Sequence, residues 1–290
     1  MLSVLGGGPL ITTLKPRTSI AIAALCCLWS LSACGDATGA DGATGHTAPS
    51  SKSDQAETWE AEIDLPDVTG TYRFALESEA VFRALDDGEE TTVQTRISAL
   101  VDLVATGSEV SWTFSPCEVI LPEIDGRQPS IETAVIRSLA PVSVSSAWEP
   151  GETEPQLRTN TAVWVVGASL EDPATDALPT DGDDPRVVDV DRDGKPGVSL
   201  YVDSFRLYAS LRFSLSVTVR YQEDGSLVGD ADLTLEIQLY GDDIPFYNAV
   251  TAVEEALESL ELVEQVHQVS LLGVDPESSD CDPPQPEPIP

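Results

Sequence analysis

From Leu207 to Tyr221 apolar and polar residues alternate, so Leu207, Ala209, Leu211, Phe213, Leu215, Val217, Val219 and Tyr221 fall on one face of an extended chain. The turn Glu223-Asp224-Gly225-Ser226 follows, and 227–240 returns with Leu233, Leu235, Ile237 and Leu239 on one face, which predicts a hairpin. Upstream, 72–76, 93–105, 109–114, 119–121, 142–148 and 161–167 read as further strands separated by Gly, Pro and acidic turns. Short strands at regular spacing predict a mainly β, antiparallel barrel or sandwich, lipocalin-like or jelly-roll-like.

One stretch breaks the period of two. Phe246, Ala249, Val250, Val253, Leu257 and Leu260 recur at helical spacing, with Glu254, Glu255, Glu258 and Glu261 on the other faces. This predicts one C-terminal helix capping the sheet, with a closing strand over 266–274 that contains His267. Residues 34–58, rich in Gly, Ala, Thr, Ser and Asp, read as a flexible tether, and 275–290 as an acidic, Pro-rich tail. A single β domain over 59–274 lies between them, with no repeat of 20 to 50 residues.

Residues 1–33 have the pattern of an export leader. Lys15 and Arg17 precede an apolar run from Ile20 to Trp29 that is too short to span a bilayer. The run leads into Leu31-Ser32-Ala33-Cys34, which resembles the lipobox of bacterial lipoproteins. That resemblance implies lipid on the Cys34 thiol, cleavage just before it and anchorage to a membrane. Gly35 at the next position resembles sorting signals for the outer membrane, so the expected location is the cell envelope. A leader cleaved near Ala33 without lipidation is the alternative.

Charge narrows the partners. The 290 residues carry 15 Lys+Arg against 50 Asp+Glu, a formal charge of −35, and loss of the leader, with Lys15 and Arg17 but no acid, takes this to −37. Nucleic acid and anionic headgroups need clustered Lys and Arg, so cations are the natural counterpart. Cys26 and Cys27 leave with the leader and Cys34 takes lipid. Cys117 and Cys281 remain, able to pair in an oxidising compartment or to stay as two thiols.

The densest constellation is Asp189-Val-Asp191-Arg-Asp193-Gly194-Lys195-Pro196-Gly197. Carboxylates on alternate residues converge where the chain curls, and Gly194 permits the turn that brings three oxygens onto one hard cation. The spacing follows the first half of an EF-hand loop and then departs from it. Leu200 stands where the bidentate Glu should be, and 198–202 reads as strand instead of helix. Calcium held by Asp189, Asp191, Asp193, the Lys195 carbonyl and a remote carboxylate such as Asp203, Asp183 or Asp184 is one reading. An Asx/Gly turn without metal is the other. The lipobox, the cysteine pair Cys117 and Cys281, and the D-x-D-x-D-G-x-P-G-V run from Asp189 to Val198 together resemble predicted lipoproteins of the myxobacterial type. The resemblance implies an envelope location and a calcium-type loop, and no activity.

Catalytic patterns are thin. His46 and His267 are the only histidines and neither stands beside a recognisable nucleophile, Gly194-Lys195 is followed by Pro196 where a phosphate loop needs Ser or Thr, and zinc-type His/Cys clusters are missing. The expected protein is therefore a non-enzymatic, lipid-anchored envelope protein with a structural calcium loop. Two alternatives accompany it. Trp112, Trp148 and Trp164 would make a calcium-stabilised carbohydrate-binding module if they faced solvent, and two facing carboxylates in a cleft would make a glycosidase-like enzyme. A closed barrel could also hold a small apolar ligand.

Overall fold

The computed structural model describes residues 65–121, 129–151, 154–202, 205–243, 251, 259–274 and 281. The leader, Cys34, the tether with His46, Asp203 and nearly all of the tail lie outside the described residues.

Among the described residues ten strands form one antiparallel sheet: β1 (Gly70–Ala84), β2 (Glu90–Thr106), β3 (Glu109–Ile120), β4 (Val142–Glu149), β5 (Gln156–Thr159), β6 (Ala162–Val166), β7 (Val198–Val202), β8 (Phe205–Tyr221), β9 (Leu227–Asp242) and β10 (Leu260–Gly273). A five-residue helix, α1 (Thr133–Arg137), stands between β3 and β4. Each strand from β1 to β4 pairs with the next, β8 pairs with β9, β9 with β10 and β10 with β1. Residues 156–158 of β5 pair with 218–220 of β8 and close the ring. β5, β6 and β7 lie in succession along the same edge of β8, so eight strand positions make an up-and-down barrel.

Strict alternation in β1, where Tyr72, Phe74, Leu76, Ser78, Ala80, Phe82 and Ala84 are buried, shows which face looks inward. Two apolar clusters share the interior. Near the β5–β8 closure Trp112 stacks on Phe114 at 5.8 Å, and Phe114 meets Phe74 edge-on at 5.6 Å. Towards the other end Phe82, Val93, Leu200, Leu207, Leu211 and Leu235 pack together. Here β3 runs on past the end of its pairing with β4, and the connection between them fills the space: Ser130 bridges Tyr201 of β7, and Val135 and Ile136 of α1 enter the core.

Between the clusters the interior is nearly full. A cavity of about 40 Å³ remains, walled by side chains that include Phe74, Ile97, Phe114, Trp164, Phe213 and Leu233. Ligand sites start at roughly 300 Å³, so this space is too small for one; a second, open cavity of about 840 Å³ is lined by residues of β1, β2 and β10 that include Glu77, Ser78, Thr95, Arg96 and Val266.

Several expectations change. Leu260, placed on the helical stripe, and Glu261, placed on another face of the same helix, belong to β10, which begins six residues before the predicted closing strand; apart from Thr251, residues 244–258 lie outside the described set, so the predicted C-terminal helix is not seen. The predicted segments 109–114 and 119–121 are one strand interrupted by a bulge. Ser98 pairs with Glu118 and Ala99 with Pro116, leaving Cys117 as the extra residue. Pro116 beside it has no N–H to give the ladder. The bulge buries Cys117, which is joined to Cys281 by a disulfide with Cα atoms 5.2 Å apart.

Candidate metal centre

The chain leaves the barrel wall after β6 and re-enters it at β7, and the intervening excursion carries the Asp-rich loop. Its neck is made by Gly167 (φ 80°) and Gly197 (φ 84°), both packed on the Ala209 carbonyl of β8. A Cβ on Gly197 would lie 2.1 Å from that oxygen, and one on Gly167 would lie 2.6 Å from it. Glycine is required twice over, by dihedral and by space. Above the neck, Ala168 bridges Val187, Val188 N–H donates to Gly167 O at 2.9 Å, and Val190 N–H donates to Gly197 O at 3.1 Å. Arg212 on the outer face of β8 clasps the excursion by donating to the Asp176 carbonyl at 2.6 Å while paired with Glu236.

Inside this frame the loop curls as the spacing predicts. Arg192 (φ 61°) and Gly194 (φ 80°) are both left-handed, and oxygens from Asp189, Asp191 and Asp193 all come within 4.8 Å of one another. Asp189 accepts the N–H of Asp193 at 3.2 Å and of Gly194 at 2.9 Å. Asp191 Oδ2 accepts Ser199 N–H at 2.8 Å; Asp193 accepts Lys195 N–H and the Ser199 hydroxyl, both at 2.9 Å. Burial pushes the Asp189 carboxyl up, but the Gly194 N–H, hydrogen bonding with Asp191 and the N–H groups of Arg192 and Asp193 outweigh it. Asp189 therefore ionises below the usual carboxylate range. Asp191 Oδ1 is the exception: it is buried and has no partner.

Arg206, at the start of β8, is the positive charge of the site. It reaches Asp193 at 3.1 Å and Asp243, just past β9, at 3.0 Å. Beneath the loop lies Tyr208, only 3% exposed although its position in β8 points away from the core. Lys195 Nζ stands 5.5 Å from its ring centroid and Arg206 Cζ 6.0 Å.

The set proposed from sequence is thus partly assembled. Asp189, Asp191 and Asp193 converge; the Lys195 ammonium lies over the Tyr208 ring, which leaves its carbonyl, the ligand expected of this residue, untouched, and Asp203 lies outside the described residues. Asp184 is engaged elsewhere, its carboxyl pulled down to about 2 by the Arg186 side chain and backbone. Leu200, at the twelfth position of the loop, is buried in β7, which rules out EF-hand coordination there. Sequence reading missed Ser199, Arg206, Tyr208 and Asp243. None carries a local signal, because three of them sit in strands and the fourth just past β9, and only the barrel brings them to the loop.

The other candidates scatter. Trp112 and Trp148 are buried, and Trp164 walls the internal cavity, so these three do not form a solvent-facing platform. Trp112 donates to Ser146 Oγ at 2.7 Å inside the wall. His267 points into the barrel, in the row where β10 pairs with Ser78 of β1 and Ser78 with Thr95 of β2. The Ser78 and Thr95 hydroxyls, His267 Nδ1 and Gln265 Nε2 are all buried without partners. Comparison with known proteins finds no matching family model, no matching curated protein and no matching solved structure.

Proposed function

We propose that this chain is a lipid-anchored envelope protein whose barrel is secured by one structural calcium ion at Asp189, Asp191 and Asp193, and that it performs no catalysis. The observation that carries the reading is the convergence of three carboxylates within 4.8 Å, with one buried oxygen, Asp191 Oδ1, accepting nothing. An ionised carboxylate oxygen has two acceptor directions. The N–H donors therefore leave room on Asp189 and Asp193 as well. In a chain of formal charge −35 a divalent cation relieves local repulsion and pins the segment entering β7. The irregular loop suits the flexible coordination of calcium better than the strict octahedron of magnesium. The Cys117–Cys281 disulfide supports an oxidising, exported setting. The pattern Leu31 to Cys34 supports the anchor, with the outer membrane as its destination.

Calorimetry with calcium is the test. An extracellular-type site should show a Kd of roughly 10⁻⁴ to 10⁻³ M. Binding to the native state alone should add about 1.4 kcal/mol at tenfold excess over Kd, seen as a higher melting temperature with calcium than with chelator at matched ionic strength. Asp191→Asn should remove both effects. Absence of heat at millimolar calcium, with coincident melts, overturns the reading. For the anchor, labelled fatty acid should enter the wild-type protein and not Cys34→Ala; equal labelling refutes it.

A further inference from the structure

Two buried oxygens at the foot of the Asp loop lack partners: Asp191 Oδ1 and the Tyr208 hydroxyl. Leaving such a group unsatisfied forfeits its hydration with nothing in return, and buried polar atoms in native proteins almost always find protein or water. The two groups come from different elements and are not bonded to each other. One is an anion; the other is a neutral group that both donates and accepts. Tyr208 of β8 stands opposite Ser199 of β7, and Ser199 is the residue whose N–H and hydroxyl hold Asp191 and Asp193, so the register sets the Tyr208 side chain beside the anchor of the carboxylate cluster. Its ring is held in place from outside by Lys195 and Arg206.

With one oxygen each, Asp189, Asp191 and Asp193 supply three of the six to eight oxygens calcium takes, and water fills the positions that other protein oxygens leave open. A water polarised by the ion needs an acceptor for its protons, and the phenol oxygen is a buried acceptor without a partner. We infer that Tyr208 is an outer-sphere partner of the cation site, its hydroxyl hydrogen-bonded to a water on the ion that Asp189, Asp191 and Asp193 hold. Loading the loop thereby fastens the excursion to β8 as well as closing it on itself. Tyr208 is a positioning residue, and the inference rests on the calcium reading above.

The full-length protein with Tyr208→Phe tests it, since Phe keeps the ring and removes only the hydroxyl. Loss of an outer-shell partner typically weakens metal binding 10- to 100-fold. Calcium Kd by calorimetry should therefore rise at least about tenfold, while the melting temperature in chelator stays at or above the wild-type value. The calcium-induced change in tyrosine ultraviolet absorbance should vanish with the hydroxyl. An unchanged Kd together with an unchanged difference spectrum overturns the role of Tyr208 and leaves the calcium site standing. No binding by wild type overturns both. If Tyr208→Phe does not fold, terbium in the wild-type protein decides: luminescence lifetimes in H₂O and D₂O should count at least one ion-bound water, and a count of zero refutes the inference.

Discussion

Replacing Gly197 by alanine isolates what the neck of the excursion does. Its φ of 84° costs an L-residue roughly 1–2 kcal/mol. The added Cβ would sit 2.1 Å from the Ala209 carbonyl oxygen, 2.8 Å from its carbon and 3.2 Å from the Tyr240 ring. Two of these neighbours are backbone of the central strand β8 and cannot swing aside. Relief requires moving β7 off β8, and overpacking of this kind costs a further ~1–3 kcal/mol. The expected loss is therefore about 2–5 kcal/mol in urea denaturation followed by circular dichroism. Gly194→Ala is the matched control: its φ is 80°, nothing lies within 4 Å of the Cβ, and only the dihedral cost of about 1–2 kcal/mol should appear. If the two variants lose the same stability, the close approach at the neck does not limit the fold and the reasoning fails.

Two further outcomes are expected. Burial holds His267 below its usual pKa, with Asp232 pulling the other way, so the folded state favours the neutral ring and stability falls as pH drops from about 6.5 toward the lowered folded value. Denaturant midpoints between pH 7 and 5 should decline in the wild type relative to His267→Gln, and parallel curves refute this. The Cys117–Cys281 bond spans 164 residues, and the chain-entropy account puts its contribution at up to ~5 kcal/mol. Cys117→Ser with Cys281→Ser should melt well below the oxidised wild type, whereas equal melting shows that the crosslink does not hold the tail against the barrel.

The strands were legible because a barrel wall imposes a period of two on each of them, and this survives whatever the neighbours are. Leu207 to Tyr221 spells out β8 without any knowledge of what it pairs with. The same local logic exposed Asp189, Asp191 and Asp193, since convergence of alternate carboxylates around a left-handed turn is a property of a few consecutive residues. Alternation has a cost as a guide: it labels Tyr208 and Ser210 as outward and silent about burial, although an excursion inserted between β6 and β7 covers them. It also treats Trp112, Trp148 and Trp164 as equal candidates for a surface, where register puts two in the core and one on its cavity.

By itself, then, the sequence determined the antiparallel β class, the acidic loop and the residues free to form a crosslink, because each follows from short-range periodicity, turn chemistry or counting. Tertiary structure alone decided that β5 meets β8 to close the ring, that Leu260 begins a strand, and that Cys117 sits on a bulge facing Cys281. It also decided that Arg206, Tyr208 and Asp243 gather under the loop. Those facts depend on which distant segments share the barrel wall, and long-range pairing leaves no trace in the local order of apolar and polar side chains.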